Sequence, residues 1–239
     1  MCSFLSCADA TLTCHIVQIR SVLEDVDIKA MKTGMLFDAA SIRAVAGTLK
    51  SHYGARPRPP LVCDPVCVST SGHTLLQADA VEVMISELFP LTYLITPNKS
   101  EAELILSRRG LPSGIESLGD MLRAADDLSE LGPQAVLLKG GHLAVSLADV
   151  EHVGRSRPDI RVVRNILFEE NMEILQVAEE DPASKEIVVD VLRAASGTSL
   201  FIRPRVNSTS THGTGCTLSA ALVCALARGE NSKLVLLYC

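Results

Sequence analysis

The sequence predicts an α/β domain built on a mostly parallel sheet with helices on both faces. Three observations lead there. Strand-like and helix-like stretches alternate along most of the chain. The strands are short continuous apolar runs, as strands buried on both faces are. The 239 residues, 47% of them hydrophobic, suffice for one large core.

Taken in order, residues 1–17 show no clear period and stay unassigned. Ile19, Val22 and Leu23 give a short helical pattern over 18–25, and Ile28 to Met31 reads as a strand ending in a turn at Thr33–Gly34. Residues 38–52 form a helix with Asp38 or Ser41 as cap and Ile42, Val45, Ala46 and Leu49 as its apolar stripe. YGARPRPP is a surface loop, and LVCDPV (61–66) is a strand. A helix over about 78–88 leads to a strand at Tyr93–Thr96, and NKSEAELIL begins the next helix. A helix over 116–131 and a strand over 135–139 follow, closed by Gly140–Gly141. Residues 143–185 are charged and carry Pro158 and Pro182, so they read as a long, partly flexible excursion from the sheet. EIVVDVL (186–192) and SLFIRP (199–204) return as a strand pair. The glycine-rich turn THGTGC (211–216) then runs into an alanine-rich helix that stops at Gly229.

Composition excludes several functions. A net charge of −6 with no basic block argues against nucleic acid, and 3% aromatics with no Trp leave no base-stacking platform. Eight cysteines without a CxxC pair, several in apolar runs, read as reduced thiols of a cytoplasmic protein rather than a disulfide framework or zinc site. The first 20 residues read as neither a signal peptide nor a membrane span.

Ligands of open α/β sheets bind at the carboxyl ends of the strands. Polar groups fall at such ends here: Asp64, Thr96 with Asn98, Lys139 and the 211–216 turn. Asp64 suits a metal or a substrate hydroxyl, or equally a turn before Pro65. Asn98 and Glu101 lie three apart at a helix start, a spacing that serves a hydrated Mg²⁺ or a capping arrangement. Lys139 follows four apolar residues and suits phosphate as a point charge facing a cleft. His142 reads as a loop residue without a role. Gly213 and Gly215 let backbone amides converge at a helix start, which suits an anion site and an activated thiol at Cys216, or else a plain glycine turn before a core helix with a chance cysteine. Together these are the parts of phosphoryl transfer, although GxxxxGK[ST] and the protein-kinase motif set are missing.

In that order and spacing, KTGML (32–36), DPV (64–66), ITPNKSEAE (95–103), LLKGGH (137–142) and STHGTGCTLSAALVCALARG (210–229) resemble the hydroxymethylpyrimidine and phosphomethylpyrimidine kinases of thiamine biosynthesis, a branch of the ribokinase-like superfamily. The likeness covers roughly 18–142 and 186–229. Most of the superfamily places an aspartate where this branch carries the cysteine. The resemblance implies a three-layer α/β/α sandwich. It also implies ATP-dependent phosphorylation of 4-amino-5-hydroxymethyl-2-methylpyrimidine and its monophosphate, with Mg²⁺. Cys216 would activate the substrate hydroxyl; Gly213, Thr214, Gly215 and the Cys216 amide would form the anion hole. Lys139 and Thr96 would meet ATP phosphate, Asn98, Glu101 and Asp64 would place the metal, and Met35 and Val66 would pack on the pyrimidine. The expected partners are the pyrimidine and ATP, without nucleic acid or membrane, and with a homodimer as the protein assembly entertained.

The chain departs from the family pattern. A GSDPSGGAG-like opening segment with its strand is not found, so the N-terminal strands are expected to be missing and residues 18–239 to form a partial kinase domain. The chain ends at Cys239 without the closing helices and GKG-type segment, and 143–185 is longer than in compact bacterial members. An incomplete gene model, a splice product or a degenerate copy would each account for the two ends. Two alternatives therefore accompany the kinase: a pyridoxal kinase of the cysteine-bearing type, and an inactive fragment that acts as a binding module.

Overall fold

The computed structural model describes residues 7–67, 76–141, 143, 145–164, 187–205 and 213–229. Its centre is a seven-stranded sheet of β1 (Met31–Thr33), β2 (Leu61–Cys63), β3 (Leu94–Ile95), β4 (Ala135–Leu138), β5 (Arg161–Arg164), β6 (Ile187–Ala194) and β7 (Gly197–Pro204). The strand order is β1-β2-β3-β4-β6-β7-β5. Strands β1 to β4 pair in parallel, β6 runs antiparallel to both β4 and β7, and β5 pairs in parallel with β7. The polypeptide is thus an α/β fold whose one reversed strand is β6.

Alternation along the strands divides the core in two. Cys63, Ile95, Val136, Leu138, Val189 and Val191 face a large cluster shared with α2 (Ala39–Tyr53), α3 (Ala78–Val83), α4 (Lys99–Arg108) and α5 (Leu118–Ser129). Val62, Leu94, Ala135, Leu137, Leu192 and Phe201 face the other side, where α7 (Thr214–Ala227) lays Leu222 and Ala225 on them. Both faces of the central strands are buried, which is why those strands carry no polar alternation. α6 (Leu147–Ser156) completes the first helical layer, with Val150 in its core.

The helices start where side-chain oxygens can satisfy free amides. Asp38 accepts the Ser41 amide at 2.7 Å, and Ser117 accepts that of Asp120 at 3.1 Å. Ser146 and Asp149 form a reciprocal capping box on α6. After α3 the chain passes through a π-helical turn, Met84–Leu88, and a 3₁₀ turn, Phe89–Leu91, which bury Met84, Leu88 and Phe89.

Three expectations from the sequence are corrected. A helix, α1 (Cys7–Asp25), occupies much of the stretch that shows no period. Only Ile19 and Leu23 of the 18–25 pattern pack inward, while Val17 and Val22 are exposed, so the apolar signal of α1 points two ways. The first strand is Met31–Thr33 rather than 28–31, because its partners are Leu61, Val62 and Cys63. The 143–185 segment is not wholly outside the sheet: it contributes α6 and the edge strand β5, whose charged ends mask its two valines. Within it, residues 165–185 lie outside the described residues, as do His142 and the Thr211–His212 start of the glycine-rich turn.

Candidate active site

The ladder that orders the parallel strands continues past their ends and gathers the polar groups. The Asp64 amide donates to the Thr33 carbonyl (3.0 Å), that of Thr96 to Cys63 (3.0 Å) and that of Lys139 to Pro97 (2.9 Å). Side chains alternate along a strand. Asp64 therefore follows Val62, Thr96 follows Leu94, and Lys139 follows Leu137, all toward the face covered by α7. Their side chains meet. Lys139 Nζ and Thr96 Oγ1 each donate to Asp64 Oδ1 at 3.1 Å, although Asp64 is only 2% exposed.

α7 closes the cluster from above. Ser219 Oγ lies 3.2 Å from Asp64 Oδ2 and 3.0 Å from the Cys216 carbonyl, so one buried hydroxyl links the acid to the first turn of the helix. Gly213, the residue before the helix, has φ +83°, a left-handed conformation that suits glycine. The first intrahelical bond runs from the Thr217 amide to the Gly213 carbonyl, which leaves the amides of Gly215 and Cys216 without an acceptor inside the helix. Lys139 reaches this turn too: a Cβ on Gly215 would stand 3.1 Å from its Nζ. Cys216 is exposed at the same turn.

Asn98 and Glu101 form a full capping box: the Asn98 side chain accepts the Glu101 amide at 2.9 Å, and Glu101 accepts the Asn98 amide at 2.8 Å. Burial pushes the Glu101 carboxyl up to about 7, against the backbone bond from Asn98 and the charge of Lys139, which favour the ionised form. Thr96 is fully buried, and its hydroxyl donates to Asp64. Met35, 55% exposed, follows β1 at the same end of the sheet, and half-buried Val66 bonds back to the Asp64 carbonyl. Ser219 is the site residue that sequence reasoning passed over. Its signal was its spacing: three residues after Cys216 and three before the apolar Leu222, it stands on the sheet-facing side of a helix.

The first turn of α7 and the Lys139 ammonium thus lie together at the carboxyl ends of parallel strands, where open α/β sheets bind their ligands. The fold is ribokinase-like. The structure of a phosphomethylpyrimidine kinase from Clostridium difficile superposes with TM-score 0.64 at 29% identity, covering 95% of this chain and 74% of that one. An ADP complex of Bacillus subtilis pyridoxal kinase gives 0.62 at 25% identity, covering 92% and 65%. The phosphomethylpyrimidine kinase family model matches residues 13–171 and 171–235, and the chain belongs to that family. The match thus extends before residue 18 and into the 143–185 segment. The hydroxymethylpyrimidine/phosphomethylpyrimidine kinase of Rhizobium meliloti is 35% identical over 212 residues, 89% of this chain and 61% of that protein. A Schizosaccharomyces pombe relative is 36% identical over 211 residues, of which the chain spans 32% of the relative's length.

Proposed function

We propose that the chain transfers the γ-phosphoryl group of ATP to the hydroxymethyl group of 4-amino-5-hydroxymethyl-2-methylpyrimidine, and then to its monophosphate, in the cytosol. One observation carries this: Lys139 holds its ammonium over the first turn of α7, the positive end of that helix. A cation is unfavourable there unless anions share the space. Asp64 supplies one negative charge, and a polyphosphate would supply the rest.

In this reading the amides of Thr214, Gly215 and Cys216 receive the charge that develops on the γ-phosphoryl oxygens. Gly213 turns the backbone so that they point at it. Lys139 draws the phosphate chain in, and Thr96 holds Asp64 in place for Lys139. Cys216 Sγ takes or polarises the hydroxyl proton as the new O–P bond forms and the bond to the bridging oxygen of ADP breaks. Met35 and Val66 present apolar surface to the pyrimidine ring.

Mg²⁺ fits the donor chemistry in one form only. Among the described residues no group of three or more His, Cys, Asp and Glu forms a cage, which suits an ion whose ligands are mostly water and phosphate. Glu101 and Asp64, which interact electrostatically with each other and with Lys139, would hold its waters, while Asn98 fixes Glu101. When bound, the ion neutralises phosphate charge.

Pyridoxal is the second substrate reading, favoured by the likeness to the Bacillus subtilis pyridoxal kinase. Purified chain given ATP–Mg²⁺ and the pyrimidine should form the monophosphate and then the diphosphate, and pyridoxal in its place should give little product. Cys216→Ala should abolish most turnover while leaving ATP binding. No substrate-dependent ATP consumption by the folded chain, or unchanged turnover in the variant, would sink the proposal.

A further inference from the structure

Asp190 stands in the middle of β6, fully buried, on the side of the sheet that α7 covers, with Val189 and Val191 pointing the other way. A carboxylate inside an apolar strand must be paired, and it is. Its Oδ2 accepts from the Arg203 guanidinium on the neighbouring strand β7. Its Oδ1 accepts the amide of Gly140 at 2.9 Å. Gly140 is the residue directly after Lys139, and its own position is tight: a Cβ there would meet the Val189 carbonyl oxygen at 1.9 Å and Met121 Cε at 3.0 Å. On the other side the Lys139 amide is tied to the Pro97 carbonyl at 2.9 Å.

We infer that Asp190 is a positioning residue for Lys139: by binding the Gly140 amide from β6, with Arg203 holding the carboxylate in place, it fixes the backbone that aims Lys139 Nζ at Asp64 and the start of α7. The segment after β3, at Pro97, and β6 thus grip Lys139–Gly140 from opposite sides, and β6 can reach it because that strand is the reversed one. The consequence for phosphoryl transfer rests on the function proposed above; the positioning itself does not.

The test uses the full chain in three forms: Asp190→Ala, Asp190→Asn, and Asp190→Asn combined with Arg203→Leu. Asparagine offers one oxygen to two donors; the charged guanidinium takes it and leaves the neutral Gly140 amide facing the amino group, so removing the guanidinium frees that oxygen for Gly140. Near-UV circular dichroism selects folded variants. Exchange of the Gly140 amide proton, read by NMR, should rise roughly tenfold or more in each single variant, as expected for loss of a charge-assisted bond. Acetylation of Lys139 by an N-hydroxysuccinimide ester, mapped by mass spectrometry, should accelerate in parallel, while core amides such as Val136 keep their protection. The paired variant should return both readouts toward those of the unaltered chain. Gly140 exchange and Lys139 acetylation that stay unchanged in a folded single variant, or show no recovery in the paired one, would overturn the inference. Failure of the unaltered chain to bind ATP–Mg²⁺ would count against the phosphoryl-transfer reading and leave these two readouts standing.

Discussion

Lys139 and Asp64 form an ion pair of unequal partners: the ammonium is 15% exposed and the carboxylate 2%, with 3.1 Å between Nζ and Oδ1. The acid depends on the base more than the base depends on the acid. Lys139→Met should therefore leave a buried charge held only by the hydroxyls of Thr96 and Ser219, and lower stability by about 3 kcal/mol. Asp64→Asn in the same background should recover part of that loss. Urea denaturation of both single variants and the pair measures the coupling; additive effects would contradict it.

Ser219→Ala removes one buried hydroxyl that faces both Asp64 and the Cys216 carbonyl. The expected loss is about 1–2 kcal/mol by urea denaturation. Ser107→Ala is the control: that hydroxyl is exposed near the end of α4 and donates to the Leu104 carbonyl of its own helix. It should leave stability within about 0.5 kcal/mol of the original.

Gly140→Ala should be among the most damaging single-methyl changes in the chain, because the new carbon would overlap the Val189 carbonyl oxygen. A loss of about 3 kcal/mol or more follows from the overpacking. Its neighbour provides the control: around a Cβ on Gly141 nothing lies within 4 Å, and Gly141→Ala should be close to neutral. Equal melting temperatures for the two variants would refute the close approach.

Glu101 gives stability a pH slope. Its carboxyl moves from 4.5 up to about 7 on folding, mainly through burial, so the folded chain binds the proton more tightly than the unfolded one. Stability from this group should be greatest below about pH 4.5, fall as pH rises toward 7 and level off above, a change of about 3 kcal/mol at about 1.4 kcal/mol per unit. Glu101→Gln keeps an oxygen for the Asn98 amide and should flatten that slope. Denaturation series from pH 5 to 8 in the presence of EDTA, for both proteins, would show it.

The thiols should separate by access. Cys14, Cys216 and Cys224 are exposed, whereas Cys63 and Cys67 are buried, and burial pushes the Cys63 thiol up to about 12. Iodoacetamide at neutral pH should label the first three in the folded chain and reach Cys63 and Cys67 only in denaturant. Peptide mass spectrometry reads the result, and rapid labelling of Cys63 in the folded state would be inconsistent with its packing.

Much of this molecule was legible in its residues because two periodicities are strong. Ile42, Ala46 and Leu49 announced α2, and the apolar runs at Leu61–Cys63 and Ala135–Leu138 announced buried strands. Asp64, Lys139 and the α7 start stood out as polar breaks at the ends of those runs. Other features were hidden for physical reasons. α1 packs through a narrow stripe while leaving valines outside, so no single period dominates. Asp190 and Arg203 lie on consecutive strands, and only the register of β6 against β7, diagonal at these positions, makes them partners. Ser219 looked like one more small residue in an alanine-rich helix, since nothing local says what faces it. The Asn98–Glu101 spacing left ligand and cap undecided; the structure shows the capping bonds.

Asp64, Thr96 and Lys139 continue the rows begun by Val62, Leu94 and Leu137 toward α7. Because successive side chains alternate, a slip of one residue in any of these strands would swing its polar group to the opposite face together with its apolar neighbours. Misregistered chains would then lose the polar group and the core contact at one stroke, with no graded intermediate. Occupancy of the Lys139–Asp64 contact consequently serves as a count of correctly registered molecules, and a partly folded preparation should behave as a mixture of competent and incompetent chains rather than as a uniformly weakened one.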